Sequence, residues 1–222
     1  MAFGRGTEGP VRKAFSGAIL AGGESRRFGQ DKARVILGGQ ELIVRVLATL
    51  EEVCEEVLIV TRVARRFGHL EVPVVSDMVK GSGSLGGLLT ALVHARFERC
   101  CVVGCDMPFL NASLMGRMCE KVSDFDVVVP VWRGELQPLH AIYSKRCVPR
   151  IRKRILRQDL RIVDFFPGVP TLRIEQDLWK DLDPDGWSFM NINTRAEFDQ
   201  AQLQLERLEQ KRQEQGIPET VW

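Results

Sequence analysis

Ile19-Leu20-Ala21-Gly22-Gly23-Glu24-Ser25-Arg26-Arg27-Phe28-Gly29-Gln30-Asp31-Lys32 is the stretch that decides how this chain reads. The apolar run from Gly17 to Ala21 breaks into two glycines, two arginines, a third glycine and a lysine. The pattern predicts a buried strand opening into a loop whose backbone N–H groups and cationic side chains converge on an anion. A nucleotide phosphate is the anion it suits. Glycine lets the backbone approach such a ligand, because a Cβ would hold it off. Arg27 and Lys32 then neutralise charge that amides alone leave standing. A bare Gly-Gly turn after a strand is common; the added Arg27, Asp31 and Lys32 separate this one from the ordinary case. The P-loop string Gly-x-x-x-x-Gly-Lys-Ser/Thr is absent.

Outward from that loop, apolar and β-branched runs recur at 18–21, 57–61, 72–75, 101–105 and 127–131. Helical spacing fills the gaps. Leu42, Val46, Leu50 and Val53 share one side of 41–52, and Leu88, Leu89, Leu92 and Val93 mark 85–97. Asn111 caps a helix with Leu114, Met118 and Val122 inward. Continuous apolar strands alternating with helices predict an α/β fold: a single-domain, Rossmann-like, mostly parallel, doubly wound sheet. Further on, 137–143 reads as a strand, 144–157 as a helix, and 162–165 and 171–174 as short strands. A last helix runs from Arg195 to about Gln213, capped by Asn193-Thr194. The domain is expected over 15–214, with tails at 1–14 and 215–222.

Ligands of such sheets bind beyond the carboxyl ends of the strands. Gly22-Gly23, Thr61, Asp77 and Asp106 each follow one of the first four strands, so four strand ends are expected around one crevice. Asp106 is the sharpest of these. A carboxylate at the end of a buried strand, facing a phosphate loop, is a natural ligand for Mg²⁺, which neutralises charge during phosphoryl or nucleotidyl transfer. Its plainer reading is a turn aspartate before Pro108.

Three segments, Leu20-Ala21-Gly22-Gly23-x-Ser25-x-Arg27-x-Gly29-x-Asp31-Lys32-Ala33, Cys105-Asp106-Met107-Pro108 and Asn191-Ile192-Asn193-Thr194, together resemble the molybdenum cofactor guanylyltransferase family, in order, over about 16–204. The resemblance implies transfer of GMP from GTP to the phosphate of Mo-molybdopterin, with release of pyrophosphate. It implies that Leu20, Ala21, Gly22 and Gly23 line the guanine and phosphate end and that Arg27 and Lys32 hold the triphosphate. Thr61 and Asp77 fall on the base or ribose side, Asp106 binds Mg²⁺ and GTP, and Asn191 and Asn193 lie at the acceptor or just behind it. The partners implied are GTP, Mo-molybdopterin and molybdoenzyme apoproteins or their chaperones. The loop after Asp77 departs from the family's Gly-Pro-Leu-x-Gly, reading Gly83-Ser84-Leu85-Gly86-Gly87. Thr61 stands where some members carry asparagine, and Arg195 where proline is common.

Rival readings remain open. Transfer of CMP, or of a nucleotide to another phosphorylated acceptor, fits the same spacing, and so does a non-catalytic nucleotide-binding adaptor. Gly81-Ser82-Gly83-Ser84-Leu85-Gly86 matches the dinucleotide fingerprint Gly-x-Gly-x-x-Gly and opens a helix. Its central glycine stands too far from the preceding strand for that turn, and the reading leaves Arg27 and Lys32 without a role.

Composition is that of a soluble globular protein: 45% hydrophobic, 27% charged, net charge +2, so nothing global indicates nucleic acid. Neither a membrane span nor a secretory signal is evident. The six cysteines form no Cys-x-x-Cys pair and lie largely in apolar runs, which predicts buried reduced thiols in a cytoplasmic protein. His69, His94 and His140 lack metal-ligand spacing. Residues 145–161 hold eight basic residues and one acidic one, read as a solvated helix face with Ile151, Ile155 and Leu156 inward, or as a surface for an anionic ligand or an acidic partner.

Overall fold

The structure is a computed structural model that describes residues 13–22 and 35–214. In chain order the elements are β1 (Lys13–Leu20), β2 (Ile36–Leu37), β3 (Gln40–Glu41), α1 (Leu42–Val53), β4 (Cys54–Thr61), β5 (Val74–Ser76), α2 (Gly83–His94), β6 (Arg99–Gly104), α3 (Ala112–Glu120), β7 (Val127–Trp132), β8 (Glu135–Leu136), β9 (His140–Ser144), α4 (Val148–Leu156), β10 (Thr171–Ile174) and α5 (Arg195–Glu214). The main sheet runs β10-β7-β9-β6-β1-β4-β5, with β8 paired to β7. β1 pairs in parallel with both β4 and β6, and β4 with β5. The chain winds from β1 one way through β4 and β5, then returns to place β6 on the other side of β1. That reversal is a topological switch point, flanked by the ends of β1 and β6.

β9 runs antiparallel to β6 and β7. The seven residues between Trp132 and His140 are too few for a crossover, so the strand has to turn back. The sheet is buried on both faces. Ile19, Val46, Leu50, Leu114 and Met118 pack on the side of α1 and α3; Ala18, Leu88, Leu92, Tyr143 and Ile151 pack on the side of α2 and α4. Each fully buried leucine or isoleucine contributes about 1.5–3 kcal/mol of transfer free energy, which is what fixes the helices on these faces. A third, smaller core gathers Val35, Leu37, Leu42, Ile192, Ala201 and Leu205 around α5.

Three expectations need correction. Residues 162–165 are a 3-10 turn rather than a strand, with Ile162 and Phe165 buried. Apolar residues three apart share a face only in a helical turn, whereas a strand would have paired Ile162 with Asp164. Val93 is not on the inner face of its helix but 37% exposed, one position beyond Leu92. Leu156 is 85% exposed, because Ile151 and Ile155 already fill the inner stripe of α4. The cap of α3 is as expected: the Asn111 side chain accepts from Leu114 N–H at 3.0 Å.

Candidate active site

The carboxyl ends of four parallel strands are stitched together at one edge. Ala21 N–H donates to the Val60 carbonyl (2.8 Å), Asp77 N–H to that of Thr61 (2.9 Å), and Cys105 N–H to that of Leu20 (3.3 Å). The Thr61 hydroxyl, fully buried, donates to the Ala21 carbonyl (3.2 Å) and accepts from Val63 N–H (3.3 Å). Thr61 therefore locks the end of β1 to the loop after β4. Leu20 leans over Gly87 of α2, and Gly22 has open space where a Cβ would be. Gly23, Arg27 and Lys32 lie outside the described residues.

Asp77 turns the chain between β5 and α2. Its Oδ1 accepts from Val79 N–H (3.2 Å) and from the Thr90 hydroxyl (3.1 Å), while Met78 N–H donates to that same hydroxyl (3.0 Å). Thr90 is fully buried in α2. A lone threonine among the leucines of that helix was the signal for this anchor, and the sequence reading passed over it.

Asp106 follows β6 directly. A Cβ placed on Gly104 would come within 2.7 Å of Asp106 Oδ1, so the carboxylate occupies space that only glycine leaves open. Beside it runs Asn191-Ile192-Asn193. Ile192 N–H donates to the Asp106 carbonyl at 2.9 Å, and the Ile192 side chain is wholly buried in the smaller core. The flanking asparagines are half-buried and line a neighbouring cleft. Strand-like alternation of one buried and two outward residues thus turns both amides away from the smaller core and into the cleft. Glu197 completes a capping box for α5: its Oε2 accepts from Asn193 N–H and Thr194 N–H (both 2.7 Å), and Glu197 N–H donates to the Thr194 hydroxyl (3.2 Å).

The cleft has a volume of about 750 Å³. Trp132, Trp187, Asn191 and Asn193 form its inner part; Gln200, Gln204, Arg207 and Lys211 extend it along α5. The α5 residues recur at three and four, a stripe visible in the sequence. Trp132 sits against Gly186, whose φ of +69° and missing Cβ admit the indole; a methyl there would come within 2.6 Å of the ring. Beneath this segment His140 is wholly buried, and its Nδ1–H donates to the Ser188 carbonyl at 3.3 Å. Burial pulls the His140 pKa down to about 4, against smaller opposing effects of that hydrogen bond and of Asp183. The Asp183 carboxylate accepts from Trp187 N–H (3.0 Å) and Ser188 N–H (2.8 Å), fixing the turn that leads to Asn191.

Among the described residues no three His, Cys, Asp or Glu side chains group as a metal site. His69 pairs with Glu41, and His94 Nδ1–H donates to the Thr90 carbonyl. A hard divalent cation still fits the edge beside Asp106. Magnesium binds through one or two carboxylates plus phosphate oxygens and waters rather than through a protein cage, and the Gly104 cradle holds one carboxylate there. No helix of the described residues is long and apolar enough to cross a membrane.

A doubly wound sheet with glycine and carboxylate at its switch point and a polar cleft alongside suits a nucleotide-using transferase. Residues 17–166 match the family described as MobA-like NTP transferase domain. A probable molybdenum cofactor guanylyltransferase of Pelotomaculum thermopropionicum is 38% identical over 86% of this chain and 93% of its own. The molybdenum cofactor guanylyltransferase of Desulfosudis oleivorans is 34% identical over 86% and 96%. Among solved structures, the molybdopterin-guanine dinucleotide biosynthesis protein A of Archaeoglobus fulgidus superposes with a TM-score of 0.77 at 27% identity, covering 86% of this chain and 99% of that one. A 4-diphosphocytidyl-2C-methyl-D-erythritol synthase from Anaerococcus prevotii shares the fold alone, with a TM-score of 0.66 at 12% identity over 88% and 97%. The chain belongs to the MobA-like nucleotidyltransferase family and is a nucleotidyltransferase.

Proposed function

We propose that this enzyme transfers GMP from GTP to the phosphate of Mo-molybdopterin, forming the guanine dinucleotide of the cofactor and releasing pyrophosphate. The observation that carries the reading is the placement of Asp106 at the switch point with Asn191 and Asn193 beside it, joined by the Ile192–Asp106 backbone hydrogen bond. A donor site at the strand ends and an acceptor cleft lined by the asparagines are then tied together by that bond.

The acceptor phosphate is an anion at neutral pH and attacks the α-phosphorus without a strong base. One phosphorus–oxygen bond forms as the bond to pyrophosphate breaks, and no covalent enzyme intermediate is needed. The protein aligns the two reactants and offsets charge. Leu20, Ala21, Gly22 and Gly23 bring backbone up to the nucleotide, and Arg27 and Lys32 hold its triphosphate. Thr61 keeps the end of β1 in place, and Asp77, with Oδ1 engaged by Thr90, offers Oδ2 to the base or ribose. Asp106 would hold Mg²⁺, which would polarise the phosphates and stabilise negative charge on the leaving pyrophosphate. Asn191 and Asn193 orient the acceptor through their amides, with Trp132 and Trp187 at the pterin end of the cleft.

Incubation with each labelled nucleoside triphosphate, Mg²⁺ and molybdopterin, followed by pyrophosphate release, tests this reading. Release with GTP alone is the expected result. Release with CTP in its place would assign cytidylyl transfer, and nucleotide binding with no release would assign the adaptor role.

A further inference from the structure

Eight basic residues lie between 145 and 161, and the fold engages four of them. Lys145 Nζ donates to the Ala95 carbonyl (2.5 Å), and Arg146 pairs with Asp126 (2.6 Å). Arg150 donates to the carbonyls of Pro167 and Gly168, and Arg154 pairs with Asp159 and Asp164. Arg152, Lys153, Arg157 and Arg161 are exposed and make no side-chain ion pair among the described residues. On α4, positions 152, 153, 156 and 157 form one outward face, opposite the buried Ile151 and Ile155. At its centre stands Leu156, 85% exposed, the most exposed of the large apolar side chains described.

We infer that this face of α4 docks an acidic protein surface carrying an apolar socket for Leu156. An apolar anchor ringed by cations that pair with no acid among the described residues matches the division of labour in protein interfaces, in which a central residue fills a pocket and surrounding charges select the partner. Lipid binding by a surface helix needs a broad apolar face, and this one offers a single leucine. Nucleic acid would gain from the cations but not from the leucine.

Topology fixes where the docking face begins. β9 runs antiparallel to β6, so it ends at the edge of the sheet away from Asp106, and α4 starts there. α4 is about 13 Å long and packs on the α2 side of the sheet. Resting on the function proposed above, the partner is the protein that receives the finished dinucleotide.

The test uses the purified full-length enzyme and, as probe, the molybdenum-free apo form of a molybdoenzyme that takes the guanine dinucleotide cofactor. Binding is measured by biolayer interferometry at low and high salt, for wild type, Leu156→Asp and the double variant Arg152→Glu/Arg157→Glu. We expect each variant to weaken binding about tenfold or more and wild-type binding to fall with salt, while GMP transfer and melting temperature stay unchanged. Equal binding by wild type and variants, or no wild-type binding, overturns the proposal. Wild-type binding to anionic phosphatidylglycerol vesicles or to a single-stranded RNA, lost in the same variants while apoenzyme binding is not, also overturns it and assigns the face to lipid or RNA. GMP transfer is measured separately, so its absence would remove the proposed function without touching the binding result.

Discussion

The amide of Ile192 and the carbonyl of Asp106, 86 positions apart in the chain, are joined by a hydrogen bond of 2.9 Å. That one bond sets the segment bearing Asn191 and Asn193 against the end of β6. The isoleucine side chain is also part of the small core that holds Val35 and Leu37, on the C-terminal side of the glycine loop. Arg45, itself buried, donates to the Leu37 carbonyl twice, through Nε (3.1 Å) and Nη2 (2.9 Å). The exit of the loop expected to hold the donor and the asparagines expected to hold the acceptor therefore share one set of packing contacts.

Asp106→Asn keeps the volume and removes the charge. Turnover is expected to fall on the order of a hundredfold or more, with the melting temperature unchanged. Pyrophosphate release and a thermal melt on the same preparation check both halves.

Gly104→Ala tests the cradle without touching the carboxylate itself. The new methyl would stand within 2.7 Å of Asp106 Oδ1, so the carboxylate has to move. Activity is expected to drop, and the Mg²⁺ concentration needed for half-maximal rate to rise. A Mg²⁺ titration at saturating GTP reads this directly; an unchanged titration would separate Asp106 from the metal.

Glu197→Ala removes the carboxylate that accepts from both Asn193 N–H and Thr194 N–H, and leaves the Thr194 hydroxyl half of the capping box in place. The helix end is expected to lose about 1 kcal/mol, visible in urea denaturation. Because Asn193 N–H is one of the donors released, KM for the acceptor should rise more than KM for GTP.

His140 predicts an acid-sensitive fold. In the native state the ring stays neutral down to about pH 4, against an ordinary value of 6.5. Between those values the unfolded chain binds more protons, so stability falls as pH drops through that window and levels off below it. The contribution at stake is about 3 kcal/mol. His140→Phe is expected to flatten this dependence in denaturation curves taken from pH 7 to pH 4.

Much of this was readable from residues alone, for identifiable reasons. The strand ends at Ala21, Thr61, Asp77 and Asp106 could be placed because continuous apolar runs stop abruptly at polar residues, and the parallel sheet brings those stops to one edge. The approach of Asn191 to Asp106 was not readable from spacing, because no local pattern records a single long-range backbone bond; only the family resemblance pointed there. The turn at 162–165 was misread because four residues are too few to distinguish a period of two from a period of three. Half of the basic run at 145–161 proved to be engaged by carbonyls and acids distant in sequence, which charge counting cannot see. Leu156 was assigned inward on the strength of its residue type, when the register set by Ile151 and Ile155 already excluded it.

All six cysteines are free, and five of them are buried. Burial pushes the thiol of Cys100 well up, hydrogen bonding with Cys119 and Cys54 and then burial do the same for Cys101, and burial lifts Cys147 to about 12. These three sulfurs therefore stay protonated at neutral pH, and a protonated thiol is a poor ligand. Under the function proposed above, whose substrate carries a thiophilic metal, five of the six soft sulfurs are shut inside the fold, and the half-buried sixth, Cys105, adjoins Asp106.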